Sequence, residues 1–255
     1  WMVFLFFLPM VFTAQELMDS IVRKWDKPPM GYAFFKLKYP IELENNSFIL
    51  AKVKDALIDS TLISIYGKKT LWNMRLKDLA DVYWKQLQHE VEKNAQDAGE
   101  PLFSSYAWGE ELYIEVKHPF SNVWSISQYN SLYMGGASDY GDLTHDLYLS
   151  NKHIESLSSL VSDERAVKNL LLKHYKLQSK IPLNKNLSDV SEGFGMSDEE
   201  FKDYAMNLTF YIDKDGLHLN NSMRDGRYMR TWLEIHVPLA EIMPYIKPIY
   251  QPFFR

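Results

Sequence analysis

The chain has 255 residues, 46% of them hydrophobic, with a formal net charge of −5 and a pI near 5.8. That is enough apolar material for a sizeable core, and the acidic balance excludes a nucleic-acid binder, which needs a basic face for phosphates. Cysteine is absent, which removes disulfide scaffolds, thiolate zinc sites and cysteine nucleophiles without excluding export.

Residues 1–14 (WMVFLFFLPMVFTA) carry no charge and are apolar apart from Pro9 and Thr13. The run is shorter than the roughly 20 residues of a membrane-spanning helix. It reads as the apolar region of a signal peptide, with an uncut membrane anchor as the alternative. Either way the expected location of the rest is outside the cytoplasm, periplasmic or extracellular. Residues 25–32, with the pair Pro28-Pro29, read as a connecting loop. Ala33–Tyr39 alternates Phe35, Leu37 and Tyr39 against Lys36 and Lys38, which predicts a half-buried strand ended by Pro40.

Helical spacing follows from Ser47 to Leu62, with Ser47 as the expected N-cap. The longest helical pattern runs from Thr70 to Ala98 and is stopped by Gly99 and Pro101. Then the period becomes two. Leu102–Trp108, Glu111–His118 and Asn122–Met134 read as strands of an antiparallel meander, continued by Thr144–Leu149 beyond Gly135-Gly136. In the third of these, Val123, Ser125, Ser127, Tyr129, Ser131 and Tyr133 share one face. Helix returns over Leu157–Leu177, with Ser162 expected to cap it. Asn184–Gly195 is a polar loop, and Ser197 with Glu200 spells a capping box for a helix to Asn207. Strands at Leu208–Ile212 and Thr231–Val237 close the chain. The pattern predicts an α+β fold, a mostly antiparallel sheet with helices packed on one face. Its expected parts are 1–14 as signal peptide, 15–120 as an N-terminal strand-helix-helix-strand module and 121–255 as a C-terminal module, packed together as one unit.

No nucleophile elbow, phosphate-binding glycine loop or zinc-protease motif is present, and the sequence names no catalytic residue, cofactor or metal site. Asp139, Asp142, His145 and Asp146 come nearest to a cation site, but a polar turn shaped by aspartates explains them more simply. The seven histidines stand singly along the chain. Gly135-Gly136 suits a tight turn or bulge between paired strands. Paired carboxylates drawn from Asp139, Asp142 and Asp146 are what a glycan hydrolase would use, and this is the enzymatic alternative.

Three segments carry a family resemblance. Tyr133-Met134-Gly135-Gly136-Ala137 leads, after a strand, to Leu157-Ser158-Ser159-Leu160-Val161; LTFYIDKDGLHL spans 208–219; LEIHVPLAEIMPYIKP spans 233–248. Together they resemble the extracellular domain of the lysozyme-sensing anti-sigma factor RsiV, a domain that also accompanies the catalytic domain of the peptidoglycan deacetylase PdaC. Two features depart from that family: Ser138 stands where a histidine is common, and Asn220–Tyr228 replaces a Pro-Tyr segment. The resemblance implies an exported, non-enzymatic cell-envelope binding module whose partner is a lysozyme-like protein or peptidoglycan. Its expected contact residues are Tyr133, Gly135, Gly136, Tyr140, Asp142, Arg224, Arg227 and Tyr228. In that role Arg224 and Arg227 pair with carboxylates, and Tyr140 and Tyr228 stack on sugars or fill pockets.

Overall fold

A computed structural model describes residues 18–28, 30–98, 108–133, 140–190, 195–224 and 230–255, with side chains described throughout except at 140, 221–224 and 230–232. The segment 1–14 and the Gly135-Gly136 pair lie outside the described residues.

A six-stranded sheet runs in chain order β1 (Met18–Lys27), β2 (Gly31–Pro40), β3 (Trp108–Phe120), β4 (Val123–Tyr133), β5 (Tyr140–Leu149) and β6 (Lys152–Ile154). Every neighbouring pair is antiparallel except β2–β3, which is parallel. A parallel pair needs a crossover. Here the helices α1 (Ser47–Leu57), α2 (Ser60–Tyr66), α3 (Lys68–Asn73) and α4 (Leu76–Ala98) supply it. They bury Ile49, Val53, Leu79 and Val91 against Phe35, Leu37, Leu112, Ile114, Val116 and Ile126 on one sheet face.

The second half adds α5 (Leu157–Leu160), α6 (Glu164–Gln178), α7 (Asp198–Met206) and a three-stranded antiparallel sheet of β7 (Thr209–Ile212), β8 (Gly216–Arg224) and β9 (Arg230–Pro238), followed by α8 (Leu239–Ile242). A second core forms there around Leu171, Phe201, Phe210, Leu219, Ile235 and Val237. It reaches the large sheet through Val123, Leu147 and Leu149. The large sheet runs without interruption past residue 120, because Phe120 pairs with Val123 in the β3–β4 hairpin. The fold is α+β, mostly antiparallel, with α1–α4 on one face of the main sheet.

Several elements differ from the sequence reading for identifiable reasons. Residues 25–32 are not a loop: Trp25, Asp26 and Lys27 pair with Ala33, Tyr32 and Gly31, and Pro28 sits in the turn between the two strands. β1 is an edge strand that buries only Ile21, so it carries no apolar alternation to read. The expected 47–62 helix breaks at Ile58, where Asp59 starts α2 by accepting from Leu62 N at 2.7 Å. Its first cap is Asn46, not Ser47. The 70–98 pattern breaks at Met74, whose backbone is extended. Buried Lys54 holds that break by donating from Nζ to the carbonyls of Trp72 at 2.9 Å and Met74 at 2.6 Å, satisfying helix-end acceptors. The 157–177 helix is also split: Asp163 caps α6, while Ser162 Oγ donates to Tyr245 O at 3.0 Å. The Ser197–Glu200 capping box is present as expected.

Candidate binding face

Alternation along the strands gives the main sheet a second face. Tyr32, Phe34, Lys36 and Lys38 of β2 point away from α1–α4, in register with Gly109, Glu111, Tyr113 and Glu115 of β3. Beyond them, Gly109, Glu111, Tyr113 and Glu115 pair with Tyr133, Ser131, Tyr129 and Ser127 of β4. Tyr32, Phe34, Tyr113, Tyr129 and Tyr133 are half-buried and belong to neither core. The face is thus a band of aromatic rings set among charges. Lys36 Nζ lies 4.9 Å from the centre of the Tyr113 ring, a cation–π contact. Lys38 Nζ meets Glu115 Oε1 at 2.7 Å. Burial, then the Glu115 charge, raises the Tyr113 phenol, so it stays protonated.

Gly109 has a defined role on this band. A β-carbon there would stand 2.2 Å from Cε1 of Tyr32, so glycine lets the Tyr32 ring lie flat across β3. Beside that ring a hollow of about 330 Å³ is lined by Lys24, Asp26, Tyr32, Phe34 and Glu111.

At the other end of the face, the three-stranded sheet closes over β3–β5 with a polar junction. Thr209 bonds the exposed edge of β5, accepting from His145 N and donating to His145 O. His145 Nδ1 meets Ser127 Oγ at 2.7 Å, and Asn220 Nδ2 faces Nε2 at 3.4 Å. Both ring nitrogens of His145 thus face a polar side chain, Ser127 on one side and Asn220 on the other. Burial, with Lys117 and His218 adding to it, lowers His145 to about 4, so the ring is neutral at physiological pH.

Next to it, His218 stacks between Tyr211 at 4.6 Å and His236 at 4.6 Å. Its Nε2 lies 3.0 Å from Asp213 Oδ1. Burial would raise the Asp213 carboxyl, but the hydrogen bond and charge of His218, the Asp215 N–H and Lys117 bring it down to about 2. Lys117 Nζ sits 4.1 Å from the Tyr211 ring centre. The junction is a buried polar cluster joining two sheets, in which His218 Nδ1 and Asn220 Oδ1 have no hydrogen-bond partner among the described residues.

The sequence-derived site residues separate across this frame. Tyr133 lies on the aromatic band, at the end of β4. Asp142 pairs with Asn130 on the helix-side face, where it lines a hollow of about 430 Å³ with Tyr83, Glu110 and Leu132. It is therefore on the opposite face from Tyr133. In that hollow, burial raises the Glu110 carboxyl against a hydrogen bond from Trp108 Nε1 at 2.9 Å. The backbones of Tyr140 and Arg224 lie in β5 and β8, while Gly135, Gly136, Arg227 and Tyr228 fall outside the described residues.

The residues weighed as a cation site do not converge. Strand alternation puts His145 on one face and Asp142 with Asp146 on the other, and Asp139 lies outside the described residues. Asp146 Oδ1 is instead 2.9 Å from His153 Nε2. Asp142 and Asp146 stand four residues apart on one strand, about 13 Å along the backbone, wider than the spacing of glycosidase carboxylate pairs. The sequence reading missed Tyr32, Phe34, Glu111 and Tyr113; the signal for them was the alternation of β2 and β3, read for its apolar side only.

No family model matches the chain, and no curated protein matches it. Solved structures do. A DUF3298-family protein from Bacteroides fragilis superposes with a TM-score of 0.55 at 17% identity, over 94% of this chain and 97% of that one. A DUF3298-family protein from Pseudomonas aeruginosa gives a TM-score of 0.51 at 13% identity, over 92% of this chain and 95% of that one. The chain thus shares its fold, over nearly its whole length, with DUF3298-family proteins, a domain of unknown function.

Proposed function

We propose that this chain is an exported cell-envelope binding module that takes its ligand on the open face of the main sheet. The observation that carries the reading is the band of Tyr32, Phe34, Tyr113, Tyr129 and Tyr133 set among Lys36, Lys38, Glu111 and Glu115 on a face that no described helix covers. Tyrosines on a rigid sheet offer broad contact area at low entropy cost, with a polar tip for each ring. The ligand classes implied by the family resemblance, a lysozyme-like protein or peptidoglycan, both suit such a surface. The net charge of −5 favours a cationic protein over an anionic glycan. The uncharged apolar segment 1–14 supports export.

The test is retention of purified residues 15–255 on immobilised lysozyme and on insoluble peptidoglycan. The wild type is expected to be held by one of them, and Tyr113→Ala/Tyr129→Ala to bind about tenfold or more weakly with an unchanged circular dichroism spectrum. No retention on either matrix would sink the proposal.

A further inference from the structure

From Ser60 to Lys77 the chain carries Lys68, Lys69, Arg75 and Lys77 and no acidic residue, although acidic side chains outnumber basic ones, 33 to 28, over the whole sequence. This stretch forms α2, α3 and the start of α4. Of its two short helices, α2 buries only Leu62 and α3 only Leu71. Ile63 is 37% exposed, Ile65 58% and Tyr66 43%, so one seven-residue helix presents three large apolar side chains to solvent.

Lys68 and Lys69 sit just past Gly67, which is both the C-cap of α2 and the N-cap of α3, so the two helix dipoles act on them in opposite senses and neither accounts for the pair. Arg75 is already paired with Asp78 through Nε at 2.8 Å. Beneath the surface the knuckle is firm, because Lys54 ties down the end of α3. A rigid projection with exposed isoleucines, a tyrosine and an adjoining lysine pair has the chemistry of an interfacial segment. Apolar tips enter the acyl boundary while ammonium groups stay at the level of lipid phosphates.

We propose that the α2–α3 knuckle is a membrane-contact surface, seating Ile63, Ile65 and Tyr66 in the headgroup region of an anionic bilayer with Lys68 and Lys69 on the lipid phosphates. This stands independently of what binds the sheet face.

The cysteine-free chain allows a direct test on residues 1–255. An environment-sensitive fluorophore is placed at Ile65→Cys, or at Lys185→Cys on an exposed loop of the other half. On vesicles of phosphatidylglycerol and phosphatidylcholine, the label at 65 is expected to brighten and shift to the blue, and the label at 185 to stay unchanged. Each lysine charge removed lowers affinity about five-fold, so Lys68→Gln/Lys69→Gln should weaken binding about 25-fold. Membrane attachment through residues 1–14 alone would leave the label at 65 silent. A silent label at 65, an equal response on pure phosphatidylcholine, or unchanged affinity in the double variant overturns the proposal. So does capture of an acidic protein by the knuckle without any vesicle response.

Discussion

Asp198→Ala is expected to destabilise the protein by about 3–5 kcal/mol, because it strands a buried charge. Lys176 has a side chain only 2% exposed, and its Nζ is held by Asp198 Oδ2 at 2.6 Å and the Lys185 carbonyl at 2.6 Å. The other carboxylate oxygen accepts from Leu187 N at 2.9 Å. Asp198 therefore joins α6, the 185–187 turn and the start of α7 through one side chain. Losing it leaves an ammonium with carbonyl partners alone, and water reaching the partly exposed position Asp198 vacates replaces only part of the missing charge. Lys176→Met/Asp198→Ala should recover part of the loss, since removing both charges of a buried pair costs less than removing one. Urea unfolding of the two variants checks this. A double variant no more stable than Asp198→Ala would mean that the pair is not the cause.

The second large effect is on pH dependence. The His145 ring titrates near 4 in the folded chain against about 6.5 when unfolded. Between those values the unfolded state binds the extra proton, so stability rises with pH across the window and is lost as pH falls through it. The slope approaches 1.4 kcal/mol per pH unit for one group. Urea unfolding should therefore show a loss of about 2 kcal/mol between pH 6.5 and pH 5. His118, stacked on Trp124 at 3.9 Å and lowered chiefly by burial, acts in the same direction. Asp213 adds nothing in that window: its folded value of about 2 lies below the ordinary carboxylate, so its contribution is lost only below about pH 4. His145→Gln should flatten the pH 4–6.5 arm by close to one proton. An unchanged slope in that variant would exclude His145 as the titrating group.

What could be read from the sequence was set by periodicity. Phe35, Leu37 and Tyr39 announced β2, Ile114 and Val116 announced β3, and Ser197 with Glu200 announced α7, because each signal is local. β1 escaped because an edge strand that buries one side chain has no pattern to show. The breaks at Ile58 and Met74 escaped because the apolar stripe continues through them, while Asp59 and the distant Lys54 make the chain turn.

The site was legible only in part. The shared face of Tyr129, Ser131 and Tyr133 was visible, but which face the helices would cover depends on pairing with β2 and β3. Asp142 and His145 are close in sequence yet their odd spacing on a strand sends them to opposite faces. Tyr211, Asp213 and His218 meet Lys117 and His145 only through the docking of the second sheet, which no local spacing encodes.

The central claim is that ligand sits on the aromatic face of the main sheet. Hydroxyl-radical footprinting of tyrosine side chains, with and without the retained ligand, tests it most directly. Oxidation of Tyr113 and Tyr129 should fall on binding, while Tyr83 in the helix-side hollow and Tyr204 on α7 stay unchanged. Protection of Tyr83 with none at Tyr113 and Tyr129 would place the ligand on the opposite face and contradict the account.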